Sequence, residues 1–442
     1  MFYLCFRMKR TISLTIFLFV LQVLFVKIIQ AVPLSDTIPA KNDSSVNVPG
    51  CVQKDILDVI FKKRNTKPVS QKRVTILGMP YVSYSPVTSF QLGIGGTISW
   101  HLGDPLTTNL SAATVSGIVT TKRQLIIQVK SNVYTNKNNW FLQGDWRYYI
   151  FKFNTYGLGT DIGYAVPPIP GVTPSPDAKQ TTVYPMDFNW LKIHQVITRK
   201  LRNNIYAGLG YHLDIHDNIN DLELKLDTPN VLVTPHYAYC NLNNLPTDKY
   251  VSSGISLNFI YDTRDNIINP FKGYYFNLNF RNNLKFLGSE IDGSQLWMEF
   301  RTYIGLSKKF PRHLIAFWTY GCFNTGGRIP FLDLPSTGFD QMNISGRGYI
   351  QGRWRGEHLM YAEVEYRFPI SQCSQILGGV LFINASTASN KDLGIPLLQY
   401  IRPAAGIGLR VMVSKKNRIN LMIDVGWGER DNGVYITAQE AF

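Results

Sequence analysis

The chain holds 442 residues, with 45 Lys and Arg against 30 Asp and Glu for a formal charge of +15, and 13% of its residues are aromatic. That length is ample for one large domain or two small ones. The basic residues stand singly among aromatics without a basic run, which argues against a nucleic-acid partner and for lipopolysaccharide or another anionic surface.

Arg7, Lys9 and Arg10 open the chain, an apolar run from Ile12 to Val26 follows, and Ile29-Gln30-Ala31 offers a small residue at a cleavage point. Residues 1–31 are therefore expected to be a signal peptide. A membrane-spanning helix is the competing reading, but the run is short, broken by Lys27, and followed by polar, Pro-containing sequence. Removing this segment takes away Arg7, Lys9, Arg10 and Lys27 and no acid, so the remainder stays basic. Cys5 precedes the apolar core, unlike the usual lipoprotein cysteine. Cys51, Cys240, Cys322 and Cys373 remain; their wide spacing fits no metal-binding pattern, and export permits a disulfide without saying which two residues form it.

Residues 32–72 form a short segment expected on the periplasmic side. It begins with a polar, Pro-containing lead to residue 50, and 51–64 can form one amphipathic helix with Ile56, Ile60 and Phe61 on one side. From residue 73 to 442 the period changes to two. Leu209 and Tyr211 alternate with Gly210 and His212, Leu257 and Phe259 with Ser256 and Asn258, and Ile407 and Leu409 with Gly408 and Arg410. Each such segment has one apolar face and one face of Gly, Asn and charge. A soluble sandwich also alternates, but strands of roughly ten residues with aromatics crowding their ends are what a transmembrane barrel requires. No stretch after residue 31 is apolar enough for a spanning helix, and mean hydropathy is near zero at -0.06, as expected when lipid-facing and lumen-facing residues cancel.

Strands are predicted near 73–84, 90–101, 108–120, 123–134, 139–151, 156–165, 187–201, 204–216, 249–262, 272–284, 293–308, 312–323, 357–369, 376–386, 400–413, 417–428 and 433–442. That is one more than an even-numbered barrel permits. The first segment, broken by Pro80, is the one to drop or merge. Connections alternate long (166–186, 217–248, 324–356, 387–399) and tight (Arg202-Asn203, Lys309 to Arg312, Lys415 to Asn417), as external loops and periplasmic turns do. The fold expected is thus an all-β transmembrane antiparallel barrel of about sixteen strands in the outer membrane of a Gram-negative bacterium.

Signatures of catalysis are missing: there is no Gly-x-Ser-x-Gly elbow, no His-Glu-x-x-His, and no phosphate-binding Gly-rich loop. No cofactor or metal is expected. His212, Asp214 and His216 share one strand face and could bind a cation, although such a row is more often a hydrated wall.

At two places the chain resembles the BamA/TamA-type outer-membrane assembly and translocation barrels, also called bacterial surface antigens. Asp262-Thr263-Arg264-Asp265-Asn266 with Pro270 and Gly273 looks like that family's turn between two mid-barrel strands. Gly346-Arg347-Gly348-Tyr349 is similar to its Val-Arg-Gly-Phe/Tyr loop tip, and Glu365-Tyr366-Arg367 to the strand that follows. The resemblance implies that the long loop folds into the barrel and sets Arg347 against Glu363 and Glu365, with Arg367 alongside them facing the lumen. Phe442, on a face with Val434, Ile436 and Ala438, resembles the terminal signal read during barrel assembly. Two features depart from the pattern. Asn384 stands where an acidic partner is usual, and residues 32–72 have no room for the family's periplasmic repeats. The function implied is non-enzymatic help in inserting or exporting outer-membrane or surface proteins, with barrel or surface-protein clients and assembly subunits as partners. The rival function is a passive or gated pore whose lumen is set by Glu299, Arg301, Arg402 and Arg410.

Overall fold

The structure, a computed structural model, describes residues 51–60, 74–85, 87–161, 166–172, 183–227, 229–415, 418–437 and 440–442. The expected signal peptide, the lead up to residue 50 and residues 61–64 of the expected helix lie outside these. Among the described residues, the period-two segments form sixteen strands. They are β1 (Val74–Ser85), β2 (Ser89–Trp100), β3 (Ser111–Thr120), β4 (Leu125–Tyr134), β5 (Trp140–Thr155), β6 (Tyr184–Arg202), β7 (Ile205–Asp221) and β8 (Tyr250–Asp262). They continue as β9 (Gly273–Asn283), β10 (Gly293–Gly305), β11 (Leu314–Gly327), β12 (His358–Pro369), β13 (Leu377–Ala388), β14 (Arg402–Ser414), β15 (Ile419–Gly428) and β16 (Asp431–Thr437). Each pairs antiparallel with the next in one continuous sheet, and the two terminal strands, β1 and β16, lie side by side.

Two expected segments differ in whether they form a strand. No strand begins at 156, because Gly157 and Gly159 take φ of 86° and 88°, left-handed backbone that ends β5 at Thr155. Residues 162–165 of that expected strand lie outside the described residues. The segment containing Pro80 is instead a strand, with Pro80 opposite Ile94. Proline cannot donate to a ladder and is confined to sheet edges, and β1 is the first strand of the sheet. Removing the 156–165 segment, rather than the first, is what leaves an even count.

The faces are inverted relative to a soluble core. Leu209 (63% exposed), Leu257 (63%), Ile383 (58%) and Ile407 (54%) point outward, while His212, Asp214, Asn258, Asn384 and Arg410 are buried between them. Antiparallel order places the connections 156–183, 222–249, 328–357 and 389–401 at one end, the loop end. The turn end carries 203–204, 306–313 and 415–418. Among the described residues, no helix is long and apolar enough to cross a membrane.

Helix α1 (Ile56–Ile60) docks at the turn end: Cys51 is disulfide-bonded to Cys373 in the β12–β13 connection, Lys54 N donates to Ser374 O (2.9 Å), and Lys415 Nζ pairs with Asp58 (2.7 Å). Cys240 and Cys322 are free and buried. Helix α2 (Pro235–Leu242), in the β7–β8 loop, is started by Thr234, whose hydroxyl accepts from Tyr237 N, and by Pro235 in its first turn.

The last strand also ends earlier than expected. β16 stops at Thr437, Ala438 lies outside the described residues, and Glu440 and Phe442 are buried outside any strand. Phe442 does not continue an outward-facing row. Its ring packs against Trp318 (5.2 Å between centroids) and Tyr303 (6.1 Å), with the Arg367 guanidinium 5.1 Å from its centre.

Candidate functional site

The β11–β12 connection, residues 328–357, is anchored along the buried face of the sheet. Ser252 of β8 donates to Asp333 (2.6 Å), and Tyr250 accepts from Leu332 N (3.0 Å). Burial and the Asp214 carboxylate push the Asp333 carboxyl up to about 7. Farther along, Asp340 folds the chain on itself by accepting from Met342 N (2.7 Å) and Ser345 N (2.9 Å). Arg147 of β5 donates to Asp340 O (3.1 Å) and Asn343 Oδ1 (2.5 Å), so the loop reaches strands far apart in sequence.

The tip then narrows to Gly346-Arg347-Gly348-Tyr349. Gly346 and Gly348 adopt φ of 79° and 103°, and a Cβ on Gly348 would press on Ala404 and the Trp427 backbone. Both therefore need glycine: one for the turn, the other also for the close approach to β14 and β15. Gly348 N donates to Tyr435 Oη (3.1 Å), whose hydroxyl donates to Tyr349 O (2.9 Å), and Tyr349 Oη donates to Pro403 O (2.7 Å). The tip is thereby held to β14 and β16.

Arg347 is fully buried between three carboxylates. Its Nη2 donates to Glu363 (2.5 Å) and to Glu365, and its Nη1 to Asp424. Its plane lies 3.9 Å from the Phe382 ring centre. Burial alone would push the guanidinium down, but Glu363, Glu365 and Asp424 hold it well above its usual value. The carboxylates have further partners: Tyr361 donates to Glu363 (2.5 Å), Arg367 to Glu365 (2.6 Å), and Arg410 to Asp424 and Glu440 (2.7 Å). Three cations thus meet four anions and each carboxylate oxygen has at least one donor, as buried charge requires, while Arg347 Nε and Arg367 Nη1 are left without a partner among the described residues.

Asp424 is the partner that residue patterning alone did not single out. It sits on the polar face of β15 among Asn420 and Gly426, and nothing in its spacing ties it to residue 347. The charge absent at Asn384 is supplied there instead. Asn384 acts on the backbone of the tip: its Nδ2 donates to Arg347 O (2.8 Å) and approaches Glu363 (3.5 Å).

The turn motif lies apart from this tip. Asp262 receives Arg264 Nη2 (2.8 Å) and Tyr134 Oη (3.0 Å), and Arg264 lies 4.3 Å from the Tyr275 ring centre. Asp265 accepts from Phe271 N (2.9 Å), beside the buried Pro270, and pairs with Arg418 (2.7 Å). Gly273 has φ of 108°, and a Cβ there would meet Thr263 O. Asn269, at 3.4 Å from Glu440, links this turn to the tip's network. The His212-Asp214-His216 row lines a separate cavity of about 260 Å³ below the loop. There Arg281 (2.7 Å) and His194 (2.7 Å) engage Asp214, so the place of a bound cation is taken by a guanidinium. Among the described residues, no group of His, Cys, Asp or Glu is arranged to hold a metal ion.

A family model described as the Omp85 superfamily domain matches residues 81–421. No curated protein matches. Among solved structures, the chain is similar to BamA from Haemophilus ducreyi lacking POTRA domains 1–3, at 17% identity and a TM-score of 0.49 over 83% of this chain and 69% of that one. It is also similar to CdiB from Acinetobacter baumannii, at 13% identity and a TM-score of 0.47 over 84% of this chain and 60% of that one. CdiB from Escherichia coli gives 11% and 0.45, over 83% and 60%.

Proposed function

The chain belongs to the Omp85 superfamily, and from that premise we propose that its sixteen strands close into an outer-membrane barrel that helps insert or translocate outer-membrane or surface proteins, without catalysing a reaction. The observation that carries this reading is the family match across residues 81–421. The adjacency of β1 and β16 and the outward apolar rows support closure in a bilayer. Residues 1–31 serve as the signal peptide, and the turn end faces the periplasm.

In this reading the loop tip works as a lock rather than a reactive centre. Arg347, held by Glu363, Glu365 and Asp424, ties the long loop to β12 and β15, in the half of the sheet that ends at β16. Clients engage by strand pairing at the β1–β16 junction, where backbone donors and acceptors rather than side chains do the binding. The test is reconstitution of the purified protein into vesicles with an unfolded barrel client. Wild type should speed the client's appearance in protease-resistant, membrane-inserted form, and Arg347→Ala should lose most of that effect.

A pore is the second reading, favoured by the cavity of about 260 Å³ on the buried face, whose lining includes Lys192, Asp214, Arg281 and Glu299. Ohmic conductance in planar bilayers with no effect on client insertion would select it over assembly.

A further inference from the structure

The turn end carries a charge pattern that strand pairing with clients does not use. Lys137, Arg199, Arg202, Lys308 and Lys309 are exposed there and Lys200 is half-buried, and none of the six forms an ion pair among the described residues. Three acids at this end are already paired with cations, Asp265 with Arg418, Asp58 with Lys415 and Asp262 with Arg264, while exposed Asp104 accepts only from Leu106 N. The loop end differs, because its exposed bases are interspersed with exposed Asp227, Asp248, Glu290, Asp292 and Glu429.

The densest part of the basic rim is built by two neighbouring elements. Lys200 N donates to Asn139 O (2.9 Å), drawing the β4–β5 connection against the end of β6. Arg199 stands opposite Trp140 in the β5–β6 ladder, and its guanidinium lies 5.9 Å from the indole ring centre. Both belong to the outward face, beside Ile197 (46% exposed) and Leu201 (66%), with Trp140 itself 43% exposed. An arginine on an otherwise apolar row, paired with a tryptophan at the strand end, suits the level where hydrocarbon gives way to phosphates. There its stem lies along apolar surface and its head reaches the charged layer.

We propose that this rim, centred on Lys137, Trp140, Arg199, Lys200 and Arg202, binds anionic phospholipid headgroups of the leaflet on the turn-end side. The inference rests on reading the sheet as a membrane barrel. An acidic protein partner would account for exposed lysines, but not for Arg199 and Trp140 on a row that otherwise shows the bilayer Ile197 and Leu201.

The test places the full chain in nanodiscs of mixed phosphatidylcholine and phosphatidylglycerol and measures, by native mass spectrometry after gentle detergent release, which lipids remain bound. Three proteins are compared: wild type, the combined Lys137→Ser, Arg199→Gln, Lys200→Gln, Arg202→Gln variant, and a loop-end control with Lys225, Lys249, Lys285 and Lys391 all changed to Gln. Wild type and control should retain phosphatidylglycerol preferentially, more weakly as salt is added, and the turn-end variant should fall to parity. Arg199→Gln alone should lower the preference by about fivefold, the effect of one cation near an anionic surface. The proposal is overturned by no preference in wild type, which would favour a protein partner. It is equally overturned by equal loss in the loop-end control or by full retention in the turn-end variant. Heat-modifiable gel migration is scored on the same samples; its absence in wild type would instead sink the membrane-barrel reading on which the inference rests.

Discussion

Strands β2 and β3 carry no charged residue at all, and their inner positions are Gln91, Gly95, Thr97, Thr114 and Ser116. Strands β12 to β15 present Glu363, Glu365, Arg367, Asn384, Arg410 and Asp424 to the same face and receive Arg347 among them. Both sectors have the same antiparallel ladder and the same outward apolar rows, so backbone pairing and lipid-facing area do not distinguish them. The difference lies in what fixes the inner face. In β2–β3 the ladder is backed only by uncharged side chains, with Ile118 in the same apolar cluster as Ile126 and Tyr149, and in β12–β15 a loop is clamped by buried charge. The first sector carries no charged clamp, whereas in the second the strands and the loop share one set of ion pairs.

The sharpest way to break this contrast is Arg347→Ala. Removing one member of a buried ion cluster leaves Glu363, Glu365 and Asp424 with too little positive charge, a cost of about 3–5 kcal/mol. The loop 328–357 should become protease-sensitive and the midpoint of heat-modified gel migration should fall. An unchanged cleavage pattern would mean the clamp does not hold the loop.

Phe442→Ala comes next, at about 3 kcal/mol, because it empties a site lined by Trp318 and Tyr303 that those rings fill only in part. Unfolding in denaturant should shift accordingly. A shift no larger than that of an outward-facing Leu381→Ala would show that Phe442 is not packed as described. Asn384→Asp should cost about 2 kcal/mol, since it replaces the donor to Arg347 O with a carboxylate facing Glu363. If the variant is instead more resistant to proteolysis, the backbone bond is not what fixes the tip. Ser116→Ala, on the uncharged sector, should stay within about 0.5 kcal/mol of wild type in the same unfolding assay. A large effect there would erase the distinction between the two sectors.

Much of the sheet was legible in the chain because the period of two is strict wherever one side of a strand meets an apolar environment, as in Leu209 against His212. The alternation failed where backbone conformation overrides side-chain pattern. Gly157 and Gly159 leave the extended region although Tyr156 and Leu158 alternate with them, and Pro80 is tolerated because β1 stands at an edge. At the loop tip, Gly346, Arg347 and Gly348 were recognisable by resemblance, and Glu363 and Glu365 by their parity on one strand. Asp424 was not recognisable, because its role depends on which strand lies across from the tip and at what height, and that is set by registers accumulated over β13 and β14. The inward path of residues 440–442 was hidden for a similar reason. Glu440 falls on the same alternating face as Val434 and Ile436, and its mate Arg410 lies thirty positions earlier in sequence.

The bond between Cys51 and Cys373 also constrains the order of events in biogenesis. Its two sulfurs are separated by 322 positions, and on the export proposed above Cys240 and Cys322 leave the exporting channel before Cys373 does. Any oxidation of Cys51 inside the chain before residue 373 has emerged therefore joins it to a wrong partner, and that error must be undone by thiolate attack and exchange. Once Cys240 and Cys322 are enclosed, neither thiol can take part in that exchange. The native crosslink is thus a timestamp: chains that carry it have completed the β12–β13 turn, and chains caught with Cys51 bonded to Cys240 or Cys322 mark the stage before it.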